Sequence, residues 1–210
     1  MGALQSVLLR AWLAAAFAPL LAASTFSFTG TLADGSQVQY FSFTTSQETV
    51  IYTLSYGGGT NAAGTIIPPG GFDPLLTLYD ADGNQIGSFE DSAAAGGGCL
   101  GSINPGPNGC LDAYFDTSLN PGTYTLALSQ FTTTPNGSLA DGFTYDPSIC
   151  AGSFCDSFDN ITGLTGNWAL DIVGADSAAA DAPEPRTFFL LLAMFAALPR
   201  TRRTLRYLRR

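Results

Sequence analysis

Residues 71–89 read GFDPLLTLYDADGNQIGSF. Two apolar runs flank Asp82-Gly83, a pair that favours a tight hairpin turn because glycine accepts the positive φ such turns demand. The stretch therefore predicts two antiparallel strands. The same grammar recurs on both sides. TFSFTG (25–30), QVQYFSFT (37–44) and TVIYTLS (49–55) place β-branched and aromatic residues at strand spacing. AYFDTSLNPGTYTLALSQF (113–131) gives a short strand, a turn at Asn120-Pro121-Gly122, and a second strand. GNWALDIVG (166–174) supplies a last strand with Trp168, Leu170 and Ile172 on one face. No segment between Thr25 and Gly174 keeps a helical period over ten residues. The expectation is an all-β domain, an antiparallel β-sandwich of jelly-roll type, over residues 25–173.

Composition agrees. The chain of 210 residues has room for one ordinary domain plus processing segments, and its 24 glycines with only 12% charged residues suit a turn-rich β protein. Charge is segregated. All eight basic residues are arginines: Arg10, Arg186, Arg200, Arg202, Arg203, Arg206, Arg209 and Arg210. All 17 acidic residues lie between Thr25 and Pro185, where no basic side chain occurs, so that stretch carries a formal charge of 0 − 17 = −17. Phosphate backbones and anionic membrane surfaces would repel it, which excludes nucleic acid as a partner. Unopposed carboxylates either keep an exported protein soluble or recruit divalent cations.

The two ends have a different chemistry. Residues 1–24, MGALQSVLLRAWLAAAFAPLLAAS, combine Arg10, an apolar core from Ala11 to Leu21 and the small residues Ala22, Ala23 and Ser24. That is the order of a cleavable signal peptide. Residues 174–182 contain no packing side chain beyond alanine and read as a linker. Residues 183–210 hold Pro183-Glu184-Pro185, an apolar stretch from Phe188 to Pro199, and six arginines in the last eleven positions. The prolines keep the backbone extended and accessible. The apolar stretch is expected to enter the inner membrane as a helix, with Arg200, Arg202, Arg203, Arg206, Arg209 and Arg210 held on the cytoplasmic side.

This ordered tail, together with a signal peptide, resembles the PEP-CTERM sorting signal of Gram-negative bacteria over Ala182–Arg210. The resemblance implies recognition and processing at Pro183, Glu184 and Pro185 by an exosortase, an integral membrane protease, in cells that make extracellular polysaccharide. One departure stands out. As a helix the twelve residues from Phe188 to Pro199 rise only about 18 Å against a hydrocarbon core of roughly 30 Å, so Arg186 and Arg200 would have to snorkel. The body, through GFDPLLTLYDADGNQIG, Glu90-Asp91 and LNPGTYTLALS (119–129), resembles secreted β-sandwich domains of the pre-peptidase C-terminal kind that contain a Phe-Asp-Pro element, here Phe72-Asp73-Pro74. Such families imply a non-catalytic surface or accessory module, in some cases stabilised by calcium.

Four cysteines allow three pairings. Cys99 and Cys110 bracket one Gly/Pro/Asn-rich loop, Cys150 and Cys155 another, so local bridges are the economical arrangement in an exported protein. Zinc is the alternative, but the spacings differ from paired C-x-x-C motifs and the chain has no histidine. Lacking His and Lys altogether, the sequence offers no Ser-His-Asp or Cys-His system and no Schiff-base lysine. The enzymatic alternative is a carboxylate-dependent glycan hydrolase. For a cation, Asp80, Asp82, Asn84 and Asp91 stand at positions 1, 3, 5 and 12 of DADGNQIGSFED, an echo of an EF-hand loop and a candidate calcium site; Gln85 occupies the place of the turn glycine. The expectation is a structural or binding protein, not an enzyme, with extracellular polysaccharide as its partner.

Overall fold

The structure is a computed structural model, and it describes residues 24–91, 110–150, 153–155 and 163–181. Apart from Ser24, the predicted signal peptide and the whole sorting tail lie outside the described residues. Among those described, no helix is long and apolar enough to cross a membrane.

The fold is all-β and mostly antiparallel. A four-stranded sheet has the order β1 (Thr25–Thr31), β12 (Asn167–Val173), β3 (Thr49–Leu54), β8 (Tyr114–Thr117). A five-stranded sheet has the order β13 (Ser177–Ala180), β2 (Gln39–Thr45), β9 (Gly122–Gln130), β6 (Pro74–Tyr79), β7 (Gln85–Phe89). Two short ribbons, β4 (Gly59–Thr60) with β5 (Ile66–Ile67) and β10 (Thr133–Pro135) with β11 (Phe143–Tyr145), complete it.

Alternation explains how these strands pack. In β2, Phe41 and Phe43 are buried while Tyr40, Ser42 and Thr44 are half-buried. In β12, Trp168, Leu170 and Ile172 enter the same hydrophobic cluster as Phe41, Phe43, Leu76, Leu78, Leu126 and Leu128, so both sheets feed one core. Ring contacts tie the sheets together at both margins. Phe28 of β1 meets Phe41 of β2 at 5.2 Å, Trp168 stands edge-on to Phe41 at 5.6 Å, and Phe89 of β7 meets Phe115 of β8 at 4.2 Å. Each such pair adds about 0.5–1.5 kcal/mol beyond the area it buries.

The predicted hairpin is present as β6 and β7, with a register shift between Leu78 and Tyr79. Every residue of β6 is buried, and β10 of the β10–β11 ribbon contacts both β6 and β9. Phe143 of that ribbon also meets Tyr40 at 6.2 Å. Phe72 of the Phe-Asp-Pro element is fully buried and stacks on Phe154 at 5.3 Å. Phe154 sits in the loop closed by the Cys150–Cys155 disulfide, which confirms that predicted pairing. Cys110 is disulfide-bonded as well; its predicted partner, Cys99, lies outside the described residues.

The stretch read as a linker carries a strand. Ser177–Ala180 pairs with Thr44–Phe41 of β2 as β13, held by backbone hydrogen bonds and by contact between the Thr44 and Ser177 hydroxyls at 2.7 Å. Its alanines offer little to bury, so the ladder supplies the attachment that side chains cannot.

Candidate functional site

A depression lies along β1, at the margin where the two sheets part. It has a volume of about 570 Å³, within the usual range for ligand sites. One wall is the whole run Ser27–Thr31; Gln37, Gln39, Ala180 and Asp181 line the other side, and Phe28 and Trp168 line the interior.

The hydrogen-bond parity of β1 determines what this wall presents. Gly174 donates its N–H to the Ser24 carbonyl at 2.8 Å, and Leu32 donates to the Gly166 carbonyl at 2.9 Å. With Thr25 opposite Val173 and Thr31 opposite Asn167, the even-numbered residues Phe26, Phe28 and Gly30 are the ones that exchange bonds with β12. The N–H and C=O groups of Ser27, Thr29 and Thr31 therefore point away from β12, toward the open margin. Their side chains share the face opposite Phe26 and Phe28. Ser27 donates its hydroxyl to Asp171, Thr31 donates to Asn167 Oδ1 at 2.9 Å, and Thr29 is exposed.

Trp168 stands behind this wall. A Cβ added to Gly30 would lie 2.4 Å from Trp168 Cζ2, so the indole occupies the room that a side chain at position 30 would need. Its Nε1–H is buried without a hydrogen-bond partner. Across the depression Gln39 donates from Nε2 to the Asp181 carbonyl at 2.8 Å, and Ser42 donates to the Asp181 carboxylate at 3.0 Å. Asp181 is the only ionisable side chain among the lining residues. The depression can form hydrogen bonds with a ligand, and it contains no paired nucleophile and base.

The candidate calcium ligands are not gathered at one point. Asp80, Asp82 and Asn84 lie in the β6–β7 turn, where the Asp80 carboxylate accepts from the Asp82 amide at 3.0 Å, the Asn84 amide at 2.8 Å and the Asn84 side chain at 3.0 Å. The Asn84 side chain, followed by its amide, holds the Asp80 carboxyl below its ordinary range. Asp80 thus caps its own turn, and Asn84 donates to it. Asp91 lies beyond the far end of β7, separated by five strand residues or about 17 Å, and forms a bridge with Ala113. Among the described residues no group of three or more His, Cys, Asp or Glu converges as a metal site.

Two further carboxylates, Asp112 and Asp171, are buried. Asp112 is 1% exposed and accepts from the Ser55 amide at 2.5 Å, the Gly57 amide at 2.8 Å and the Thr53 hydroxyl at 3.3 Å. Burial pushes its carboxyl up to about 7, against the opposing pull of bonds from Gly57, Ser55, Thr53 and Tyr56. A shifted carboxyl often marks catalysis, but these donors all belong to the fold itself and the group is sealed, so its role is to anchor the 53–57 segment. Asp171 accepts from Ser27, from the Ala62 amide at 2.9 Å and from Tyr52, whose hydroxyl is pushed up to about 12 by burial and by that carboxylate. No local motif announces either residue, because their donors lie far away in sequence.

No protein-family model matches the chain, and no curated protein matches it.

Proposed function

We propose that the chain is an exported protein sorted by a PEP-CTERM-type signal, whose body is an antiparallel β-sandwich of jelly-roll type. It works at the cell surface or in exopolysaccharide as a structural or binding protein, by contact and not by turnover. The observation that carries this reading is the segregation of charge: every arginine lies in a terminal segment, and 17 carboxylates without a basic partner lie between them. Positive flanks suit the membrane-facing ends, and a body with no cation suits the outside of a cell. The shared core of the two sheets and the ring contacts at both margins support the sandwich. An exosortase-type membrane protease is the processing partner, and matrix polysaccharide is the surrounding medium.

The test is the intact mass of the protein recovered from the membrane and medium fractions of its own host. The expected species lacks Met1–Ser24 and ends between Pro183 and Arg186, with any added mass at the new C-terminus marking covalent attachment. A species that keeps Met1 and ends at Arg210 in the cytosolic fraction would overturn the proposal.

A further inference from the structure

We infer that β1 is a self-pairing edge, and that the partner which fits the margin along it is a second copy of this chain. The inference takes from the proposed function only that the body works by contact. Three observations carry it.

The first is that, among the described residues, β1 alone of the four edges of the two main sheets is unguarded. The edges are β1 and β8 in one sheet, β13 and β7 in the other. β8 contains Asp116, β13 is flanked by Asp176 and Asp181, and β7 runs into Glu90 and Asp91. Charges of this kind keep sheet edges from pairing with one another. From Ser24 to Ala33 the chain has no charged residue and no proline. In a body bearing 17 carboxylates and no cation, this strand brings no carboxylate of its own to the pairing, and the two acids beside it, Asp171 and Asp181, are held by the Ser27 and Ser42 hydroxyls.

The second is the supply of hydrogen bonds. Ser27, Thr29 and Thr31 direct their N–H and C=O groups outward, as the β1–β12 parity requires. An antiparallel pair of β1 strands centred on Thr29 sets Thr29 opposite Thr29 and Ser27 opposite Thr31, and all of these are outward-facing residues. The two strands then exchange six hydrogen bonds around a two-fold axis. Hydroxyl residues face each other on one side of the sheet, a favourable cross-strand combination.

The third is shape. In the same register Phe28 of the second copy falls opposite Gly30, where the missing side chain leaves only the Trp168 indole to meet it. The 570 Å³ depression along Ser27–Thr31 provides room beside the strand. A single strand pair buries less than the roughly 1,600 Å² of a standard interface, so association is expected to be weak and concentration-dependent.

The experiment uses the full-length chain in density-matched non-ionic detergent. Sedimentation over a concentration series up to about 100 µM should raise the protein mass from 21.9 kDa toward twice that value, and Thr29→Glu, at an exposed position, should hold it at 21.9 kDa while leaving the circular dichroism spectrum unchanged. Under mild oxidation Thr29→Cys should form a cross-linked dimer, since opposed residues of a hydrogen-bonded pair have Cα atoms about 5.5 Å apart, within disulfide reach. Ser27→Cys should not, because its two copies lie about 14 Å apart in this register. The described cysteines of the native chain are all bonded and do not compete. A monomeric mass for the parent chain, or equal cross-linking of the two variants, would overturn the inference. Neither result touches the terminal masses that test the proposed function.

Discussion

Asp112→Asn should change how stability depends on pH, and the sign separates two physical causes. Burial opposes charge on Asp112 and raises its carboxyl from 3.8 to about 7; the backbone donors of residues 55–57 favour the charge. A group with a raised folded pKa stabilises fully below its unfolded pKa. Between the two values the unfolded chain releases a proton that the folded chain retains, so stability falls as pH rises, and the loss is complete above the folded pKa. A rise of about three units corresponds to about 4 kcal/mol. Asparagine does not titrate, but its amide nitrogen turns a donor toward Ser55 or Gly57 and leaves a buried N–H unmet, at a cost of about 1–3 kcal/mol. The assay is urea unfolding of both proteins from pH 4 to pH 8, followed by the fluorescence of Trp168. Every other carboxylate titrates in both proteins, so the difference between them isolates position 112. The variant should be the less stable at pH 4 and gain on the parent by up to about 4 kcal/mol as the pH reaches 8. A gap that stays constant would show that Asp112 is not shifted. A gap that widens against the variant would show that the amide cradle outweighs burial, and the reasoning would be refuted.

Gly30→Ala places a Cβ against Trp168 Cζ2 at 2.4 Å and should cost about 1–3 kcal/mol through overpacking, read as a lowered melting temperature with a shifted tryptophan emission. Replacing Cys150 and Cys155 together by serine should cost about 2 kcal/mol, the chain-entropy value for so short a loop, seen in the denaturation midpoint. Millimolar calcium should leave the melting temperature unchanged, because the turn's own donors occupy Asp80 and Asp91 lies at the other end of β7; a rise that Asp80→Ala abolishes would show that the turn opens to bind the ion.

Strands whose alternation writes one face into the core were legible: β2 through Phe41 and Phe43, β12 through Trp168, Leu170 and Ile172, and the β6–β7 hairpin through Asp82-Gly83. The order of strands was not. β8 and β9 are joined by the Asn120-Pro121-Gly122 turn yet belong to different sheets, and nothing in an alternating pattern records which neighbour a strand will choose. β13 was hidden because Ser-Ala-Ala-Ala has no side chain that advertises burial. The acidic turn illustrates the opposite difficulty. Its spacing of oxygens is that of a cation loop, but in a hairpin the same oxygens serve the turn's own amides. The open margin of β1 was visible only once Gly30 was known to lie opposite Trp168.

Without a basic side chain between Thr25 and Pro185, this fold satisfies its carboxylates by other means. Asp112 and Asp171 take backbone amides and hydroxyls from distant strands. Surface acids recruit a nearby serine. Asp34 accepts from the Ser36 amide at 2.9 Å, Asp146 from the Ser148 amide at 2.8 Å and hydroxyl at 2.6 Å, and Asp141 from the Ser138 amide at 3.0 Å and hydroxyl at 2.6 Å. The Ser138 and Ser148 hydroxyls, with those amides, hold Asp141 and Asp146 below the ordinary carboxylate range. These pairings are local, so each turn is set within its own few residues, and among the described residues no long-range ion pair helps to choose the register of the sheets. Register comes from burial, from the ladders and from the long-range bonds of Asp112, Asp171 and Asp181. The same economy leaves the surface uniformly acidic, which repels other copies wherever a carboxylate stands. A strand free of charge on such a surface is therefore conspicuous, and in β1 the absence of charge coincides with outward-facing backbone groups at Ser27, Thr29 and Thr31.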